Sequence, residues 1–411
     1  MGKSNTTTRT VGTVIRGVRA PIITKGDKLD DIVTECVLNC SKSENFEFSD
    51  KDIVGVTEAV VARAQGNYVT IDDVAADVKE KFNINEKNTG EIGVIFPILS
   101  RNRFAICLKG IALAAKKIYL MLSYPSDEVG NQLFDKDLFE DTVDWDDLQT
   151  IEGGFNEKTY RKIFGYPIHP FTGIDYVEYY KTLIEASGAE AEIIFSNNCY
   201  DILNYTKNIL NCDIHTRKTT KRKLLSKGAE KVFSLDDICT KPINDSGYNE
   251  IFGLLGSNKA TETTLKLFPR DCGNFVNSLA AKLKAATNKQ IEVLIYGDGA
   301  FKDPQGKIWE LADPVVSPAY TDGLDGVPSE IKLKYLADNQ FSNLKGEELE
   351  NAVKEYIKNK ESDLKASMLS QGTTPRRITD LIGSLCDLSS GSGDKGTPIV
   401  LIQGYFDNIS S

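Results

Sequence analysis

Apolar residues recur in two rhythms along this chain, every second position and every third to fourth, and the switches between them mark its elements. "TVIRGVRAPIIT" has the alternating character of a strand, and "KGDKLDDIVTECVLNC" follows with the period of an amphipathic helix that Gly26 and Asp27 introduce. "DKDIVGVTEAVVARAQGNYVT" predicts a short buried strand, an apolar-periodic helix and a stop near Gly66. Its strand-to-helix turn, "VTEA", is a natural place for a ligand. "FAICLKGIALAAKKIYLML" (104–122) is broken by Lys109, Lys116 and Lys117, which argues against a membrane span; it is predicted as a buried strand followed by an amphipathic helix.

From about 185 to 240 the alternation becomes regular. "AEIIFS" (strand), "CYDILNYTKNIL" (helix), "CDIHT" (strand), "KTTKRKLLSKGA" (helix) and "KVFSLDDI" (strand) follow with short connections, the signature of parallel β-α-β units. No GxGxxG marks this stretch as dinucleotide-binding. A third block brings "DCGNFVNSLAAKLKAAT" (helix), "IEVLIYGDG" (buried strand), a charged helical segment at 346–365, and a final helix, glycine-rich loop and buried strand. The expected architecture is α+β: residues 1–124 and 246–411 form one composite domain around an inserted α/β region at 125–245.

Composition narrows the function classes. Hydrophobic residues make up 41% of the 411, enough for packed cores, and 59 acidic against 49 basic residues leave a net charge of −10. That balance argues against nucleic-acid phosphate as a partner. The eight scattered cysteines form no CxxC pair and read as small buried hydrophobes in a reduced, cytoplasmic setting. "MGKSNTTTRT" has no apolar core for a signal peptide, although it fits the loose myristoylation pattern.

Chemistry concentrates in three stretches. In "YGDGAFKDPQGKIWELADP" (296–314), Asp298 stands between two glycines directly after an apolar strand, where a carboxylate reaches a divalent ion and backbone approaches a phosphate. Asp303, Glu310, Asp313, Asp322 and Asp325 follow, hard oxygen ligands that suit Mg²⁺ or Mn²⁺. The competing reading is a solvated hairpin, since Pro304 and Gly306 bracket a good turn. "SSGSGDKGTP" (389–398) reads as an anion nest with Lys395 adding charge, or as a linker; the buried segments on both sides favour the nest. Arg376 and Arg377, beside two threonines at a helix start, suit a phosphate or carboxylate, or simply a solvated face. His169 and His215 lie too far apart in sequence to suggest a zinc site or a triad.

The two ends of the chain resemble the coenzyme F-420 γ-glutamyl ligase family, through "KGDKLDDIV", "DKDIVGVTEAVVARAQGN", "VLIYGDG" and "LSSGSGDKGTPIVLIQGY". That family joins glutamate to a deazaflavin precursor using GTP and divalent metal. The resemblance implies that Asp298 binds metal and that Arg63 stands where a nucleotide-binding lysine is usual, with Glu58 and Ala59 in the preceding loop. It also implies that Gly391, Ser392, Gly393, Asp394, Lys395, Gly396 and Thr397 contact the nucleotide. Two departures are Ala112 and Ser392, each where the family carries an acidic residue.

The implied activity is amide ligation driven by GTP or ATP, with a carboxylate activated as an acyl phosphate and then attacked by an amine. In this reading Asp298, with one or more of Asp303, Asp313, Asp322 and Asp325, holds Mg²⁺ or Mn²⁺. Lys395 and Arg63 cradle phosphates, and Arg376 or Arg377 orients an acidic substrate. Small carboxylate and amino-acid substrates are the expected partners, and the family's habit suggests a homodimer. A metal-dependent phosphohydrolase and a catalytically inactive nucleotide- or metabolite-binding regulator are the rival readings.

Overall fold

The computed structural model describes residues 10–139, 148, 151–169, 172–299, 313–360, 364, 376–390 and 393–410. Two larger sheets organise them, joined by a small third one. The first is a five-stranded mixed sheet in the order β1 (Val14–Val18), β14 (Ile399–Gln403), β2 (Ile53–Thr57), β12 (Glu292–Tyr296) and β13 (Ala319–Tyr320). Its centre is apolar on both faces, so β2, β12 and β14 read as continuous hydrophobic runs. Val54, Val56, Val293, Ile295, Ile399 and Leu401 point to one face, against helices α1 (Leu29–Glu44) and α8 (Cys272–Thr287). Ile53, Leu294, Tyr296, Val400 and Ile402 point to the other, against α11 (Ile378–Ser390).

The second sheet has six strands, in the order β6 (Phe155–Asn156), β7 (Glu190–Phe195), β5 (Lys117–Leu122), β4 (Glu91–Ile95), β8 (Asn208–Asn211) and β9 (Lys231–Ser234). All pairs are parallel except β6 with β7. From β4 the chain winds first toward β5 and β7 and then back to β8 and β9, so the topological switch point lies between β4 and β8. Helices α3 (Ile71–Phe82), α4 (Phe104–Ala114), α5 (Glu157–Phe164), α6 (Tyr176–Ala186) and α7 (Arg217–Ser226) complete this module. A three-stranded antiparallel sheet, β10 (Asn258–Lys259), β11 (Thr264–Lys266) and β3 (Tyr68–Thr70), connects it to the rest, and α2 (Glu58–Gln65) follows β2 directly. Helices α9 (Leu333–Asp338) and α10 (Gly346–Lys358) pack on each other through Leu336, Val353 and Ile357.

Local signals explain several boundaries. Thr70 and Asp73 form a reciprocal capping box at the start of α3, with Asp72 and Asp73 in its first turn, Lys79 and Lys81 in its last, and Asn83 left-handed beyond it. Gly66 ends α2 at φ +63°, and a Cβ there would sit 2.4 Å from the Lys25 side chain.

The chain is α+β, with parallel and antiparallel pairing in different sheets. Two details differ from the sequence reading. The 104–122 stretch is helix α4 followed by strand β5, the reverse of the expected order. Nine of the eleven α4 residues are buried, so the helix has no polar face to reveal its period. Gly110 lets α3 come close, since a Cβ there would meet Val74 at 2.7 Å. In the β-α-β run, "NILN" is the strand and "CDIHT" the loop after it. The parallel sheet therefore takes in β4 and β5, upstream of the expected insertion start at 125.

Candidate active site

In the five-stranded sheet the parallel strands β2 and β12 end together, Thr57 opposite Tyr296. Antiparallel β14 begins at the same edge, Ile399 opposite Val56, and β1 ends there, Val18 opposite Ile399. The connections after β1, β2 and β12 and the one before β14 therefore open on one side. Backbone bonds tie them together: Ala20 N–H donates to Gly396 O at 3.1 Å and Thr57 N–H to Pro398 O at 3.0 Å. Thr397 Oγ1 donates to Ser390 O at 2.8 Å, fixing the loop to the end of α11.

Charged groups gather at this edge. Glu58, in the first turn of α2, is buried and accepts two bonds from Lys266 Nζ of β11, at 2.6 and 2.7 Å. Asp298 follows β12, and its N–H donates to Asp313 Oδ2 at 2.7 Å. Gly297 makes that approach possible, because a Cβ there would lie 2.4 Å from Asp313 Oδ2. Arg103, at the start of α4, donates Nη1 to Asp313 Oδ1 at 2.5 Å and Nη2 to Asp298 Oδ2. Asp387 of α11 accepts from Gly299 N–H at 2.8 Å.

The electrostatics tie these groups into one cluster. Burial pushes the Glu58 carboxyl up; Lys266 and Arg103 pull it down, and Asp313 adds to the rise. Burial also raises Asp387, with Asp313 contributing, against the Gly299 N–H and Arg103. Burial alone would weaken Arg103's charge, but Asp313 and Asp298 outweigh it and hold the guanidinium protonated.

A cavity of about 270 Å³ opens beside Asp313, lined also by His215, Ser317, Tyr320, Arg377 and Asp380. His215 reaches it from the loop after β8, whose N–H groups at 214, 215 and 216 all donate to the Glu128 carboxylate. Arg103 follows β4 and His215 follows β8, so the switch-point edge of the six-stranded sheet faces this site.

The structure thus brings together Glu58, Asp298, Asp313 and Arg377 among the expected site residues. Ala59 serves the helix locally, donating its N–H to Oγ1 of the capping residue Thr57 at 3.4 Å. Arg63, in the last turn of α2, donates to Ile23 O and braces the connection after β1. Gly393, Asp394, Lys395 and Gly396 form an exposed turn at the same edge, followed by half-buried Thr397, and Arg376 precedes α11. Asp303, Glu310, Gly391 and Ser392 lie outside the described residues.

Asp322 and Asp325 lie away from Asp298. β13 runs antiparallel to β12, so Thr321 returns to Val293 and Gly323 lies against Glu292, at the amino end of the strand. Six residues of extended chain, about 20 Å, separate that end from Asp298. Ala112 is a core residue of α4. His169 is buried in a turn of the six-stranded module, where its Nδ1 accepts from Thr172 N–H and burial lowers its pKa.

Arg103, Lys266 and Asp387 had not been singled out. Arg103 carried a signal, since a cation at a helix start opposes the macrodipole and invites an external reason. Asp387 interrupts the apolar run of "LIGSLCDL". Among the described residues no three His, Cys, Asp or Glu side chains are arranged to hold a metal ion by themselves. Asp298 and Asp313 do converge on one cation, the Arg103 guanidinium. Two carboxylates suffice for Mg²⁺ when substrate phosphates and water complete its shell.

Fold and site together define an α+β enzyme whose charged centre lies where two parallel strands end, under loops from both halves of the chain. The family model of F420-0:gamma-glutamyl ligase matches residues 17–404, and the chain belongs to that family. It is a ligase-type protein, of the class that forms carbon–nitrogen bonds. Comparison with curated individual proteins gives no match. No helix among the described residues is long and apolar enough to cross a membrane.

Proposed function

We propose that this protein is a nucleoside-triphosphate-dependent amide ligase that activates a carboxylate as an acyl phosphate and passes the acyl group to an amino acid. The observation that carries the reading is the convergence of Asp298, Asp313, Glu58 and Asp387 with Arg103 and Lys266 at the edge where the 393–397 turn lies. Phosphoryl transfer needs developing negative charge held and neutralised more than it needs covalent chemistry from the protein. Asp298 and Asp313 would hold Mg²⁺ or Mn²⁺, which when bound neutralises phosphate oxygens. Lys395 and the N–H groups of the 393–397 turn bind phosphate from the open side.

The cavity beside Asp313 suits a small zwitterion. Arg377 faces a carboxylate group, and Asp380 faces an ammonium group. Attack by the substrate nitrogen on the acyl carbon forms the C–N bond, expels phosphate and releases a proton from nitrogen. Asp387, raised by burial, is the carboxylate at the edge suited to take that proton.

Orthophosphate release from GTP and from ATP, with Mn²⁺, an amino-acid panel and a set of carboxylates, tests the reading. Phosphate release that depends on both carboxylate and amine is expected, with a loss of at least ~100-fold in Asp298→Asn on the scale of one transition-state charge contact. Release without an amine would make the protein a phosphohydrolase. Ligand-induced thermal protection without triphosphate consumption would make it a binding protein.

A further inference from the structure

Arg103 belongs to one sheet and spends its charge in the other. Its backbone is fastened into the six-stranded module, where Leu99 N–H donates to Asp127 Oδ2 at 2.7 Å and Ser100 N–H to Tyr180 Oη at 2.7 Å, and to β10 of the three-stranded sheet, where Lys259 N–H donates to Asn102 O at 2.6 Å. Tyr180 Oη in turn donates to Ile98 O at 2.9 Å. The guanidinium leaves this braced segment and gives one nitrogen to each of two carboxylates, Asp313 and Asp298. A structural arginine commonly meets one carboxylate with two parallel bonds. Here the two nitrogens are divided between two carboxylates, as a bridging cation would divide its contacts. Two carboxylates and one guanidinium leave a net charge of −1, whereas a divalent ion in the same place would neutralise the pair.

We infer that Arg103 is the resting counter-cation of the Asp298–Asp313 pair: it positions the two carboxylates in the nucleotide-free protein and is exchanged for the divalent ion when the ligase site loads. The exchange is competitive, because guanidinium and metal take the same oxygen lone pairs. It also couples the two sheets. The braced 98–103 segment carries any movement of the guanidinium to the start of α4, where Arg103 is the residue before Phe104. The inference rests on the ligase reading above, and Arg103 is a positioning residue in it.

Mn²⁺ titration of the full chain, followed by electron paramagnetic resonance without nucleotide, separates the two. Wild type, Arg103→Gln and Arg103→Lys are compared, with Asp298→Asn as the blank. Arg103→Gln is expected to bind Mn²⁺ at least ten-fold more tightly than wild type, and Arg103→Lys to fall between them. Unchanged or weaker binding in a folded Arg103→Gln overturns the inference and leaves the ligase reading standing. Tighter binding with no triphosphate turnover in wild type under any substrate set overturns the ligase reading alone. Absence of Mn²⁺ binding in every form, with and without GTP, overturns both. If Arg103→Gln does not fold, hydrogen exchange of wild type decides: saturating Mn²⁺ with a non-hydrolysable GTP analogue should speed exchange at 100–106, and unchanged exchange refutes the competition.

Discussion

Replacing Lys266 by methionine leaves the Glu58 carboxylate buried without its partner, and the structure sets a ceiling on the damage. Glu58 and Lys266 side chains are each 11% exposed, and both carboxylate oxygens bond the ammonium. Losing one partner of such a pair costs about 3–5 kcal/mol. The protein has a second route, cheaper at low pH, which is to protonate Glu58. From an ordinary pKa of ~4.3 that costs about 4 kcal/mol at pH 7 and about 1 kcal/mol at pH 5, at ~1.4 kcal/mol per unit. The sign follows from proton binding: a carboxyl raised in the folded state binds more protons folded than unfolded, so its penalty is absent below the unfolded pKa and grows as pH rises. Burial already pushes Glu58 in that direction against the pull of Lys266. Urea unfolding followed by circular dichroism should therefore show Lys266→Met destabilised by at most about 4 kcal/mol at pH 7, shrinking to at most about 1 kcal/mol at pH 5. Glu58→Met/Lys266→Met should recover to within about 1–2 kcal/mol of wild type, since an apolar pair removes both desolvation costs. A deficit that is the same at pH 5 and pH 7, or no deficit at all, would refute the claim that Lys266 compensates a buried charge.

Two further perturbations test the packing beneath the site. In Gly55→Ala the new Cβ would meet Cys386 Sγ at 2.6 Å and Tyr296 Cδ1 at 3.3 Å, an overpacking that should cost about 1–3 kcal/mol; Cys386→Ala in the same chain should restore part of it, and no rescue would locate the strain elsewhere. Burial raises the Cys107 thiol to about 11 and pushes Cys386, Cys212 and Cys239 above the usual thiol range as well. Native-state iodoacetamide labelling at pH 7.5, mapped by mass spectrometry, should leave all four unmodified until denaturant is added; rapid labelling of Cys386 would contradict the packing of α11 on β2.

Much of the ligase sheet was legible because its strands are short, fully apolar and bounded by glycine or helix caps. "IEVLIYGDG" and "IVLIQGY" could hardly be anything but buried strands, and Asp298 stood out by following one of them. The helix of 104–122 was misread for the opposite reason: burial on all sides erases the polar stripe from which a helical period is recognised. The expected grouping around Asp298 came from sequence proximity. Asp322 and Asp325 follow it closely in the chain, but β13 turns back along β12 and carries them to its far end. The contacts that the structure gives are distant in sequence, Arg103 195 residues from Asp298 and Lys266 208 residues from Glu58. No local pattern encodes such pairings, since they exist only once elements of different sheets meet.

The assembly also explains why the six-stranded module is more than a spacer. A parallel sheet directs ligands, or in this case side chains, from the carboxyl ends of its strands. Here the two connections that flank the switch point, after β4 and after β8, deliver Arg103 to Asp298 and Asp313, and His215 to the cavity beside them. Removing the module would therefore take Arg103 from the aspartate pair and one wall from the cavity. The charged site is built by the meeting of the two sheets, and neither contains it alone.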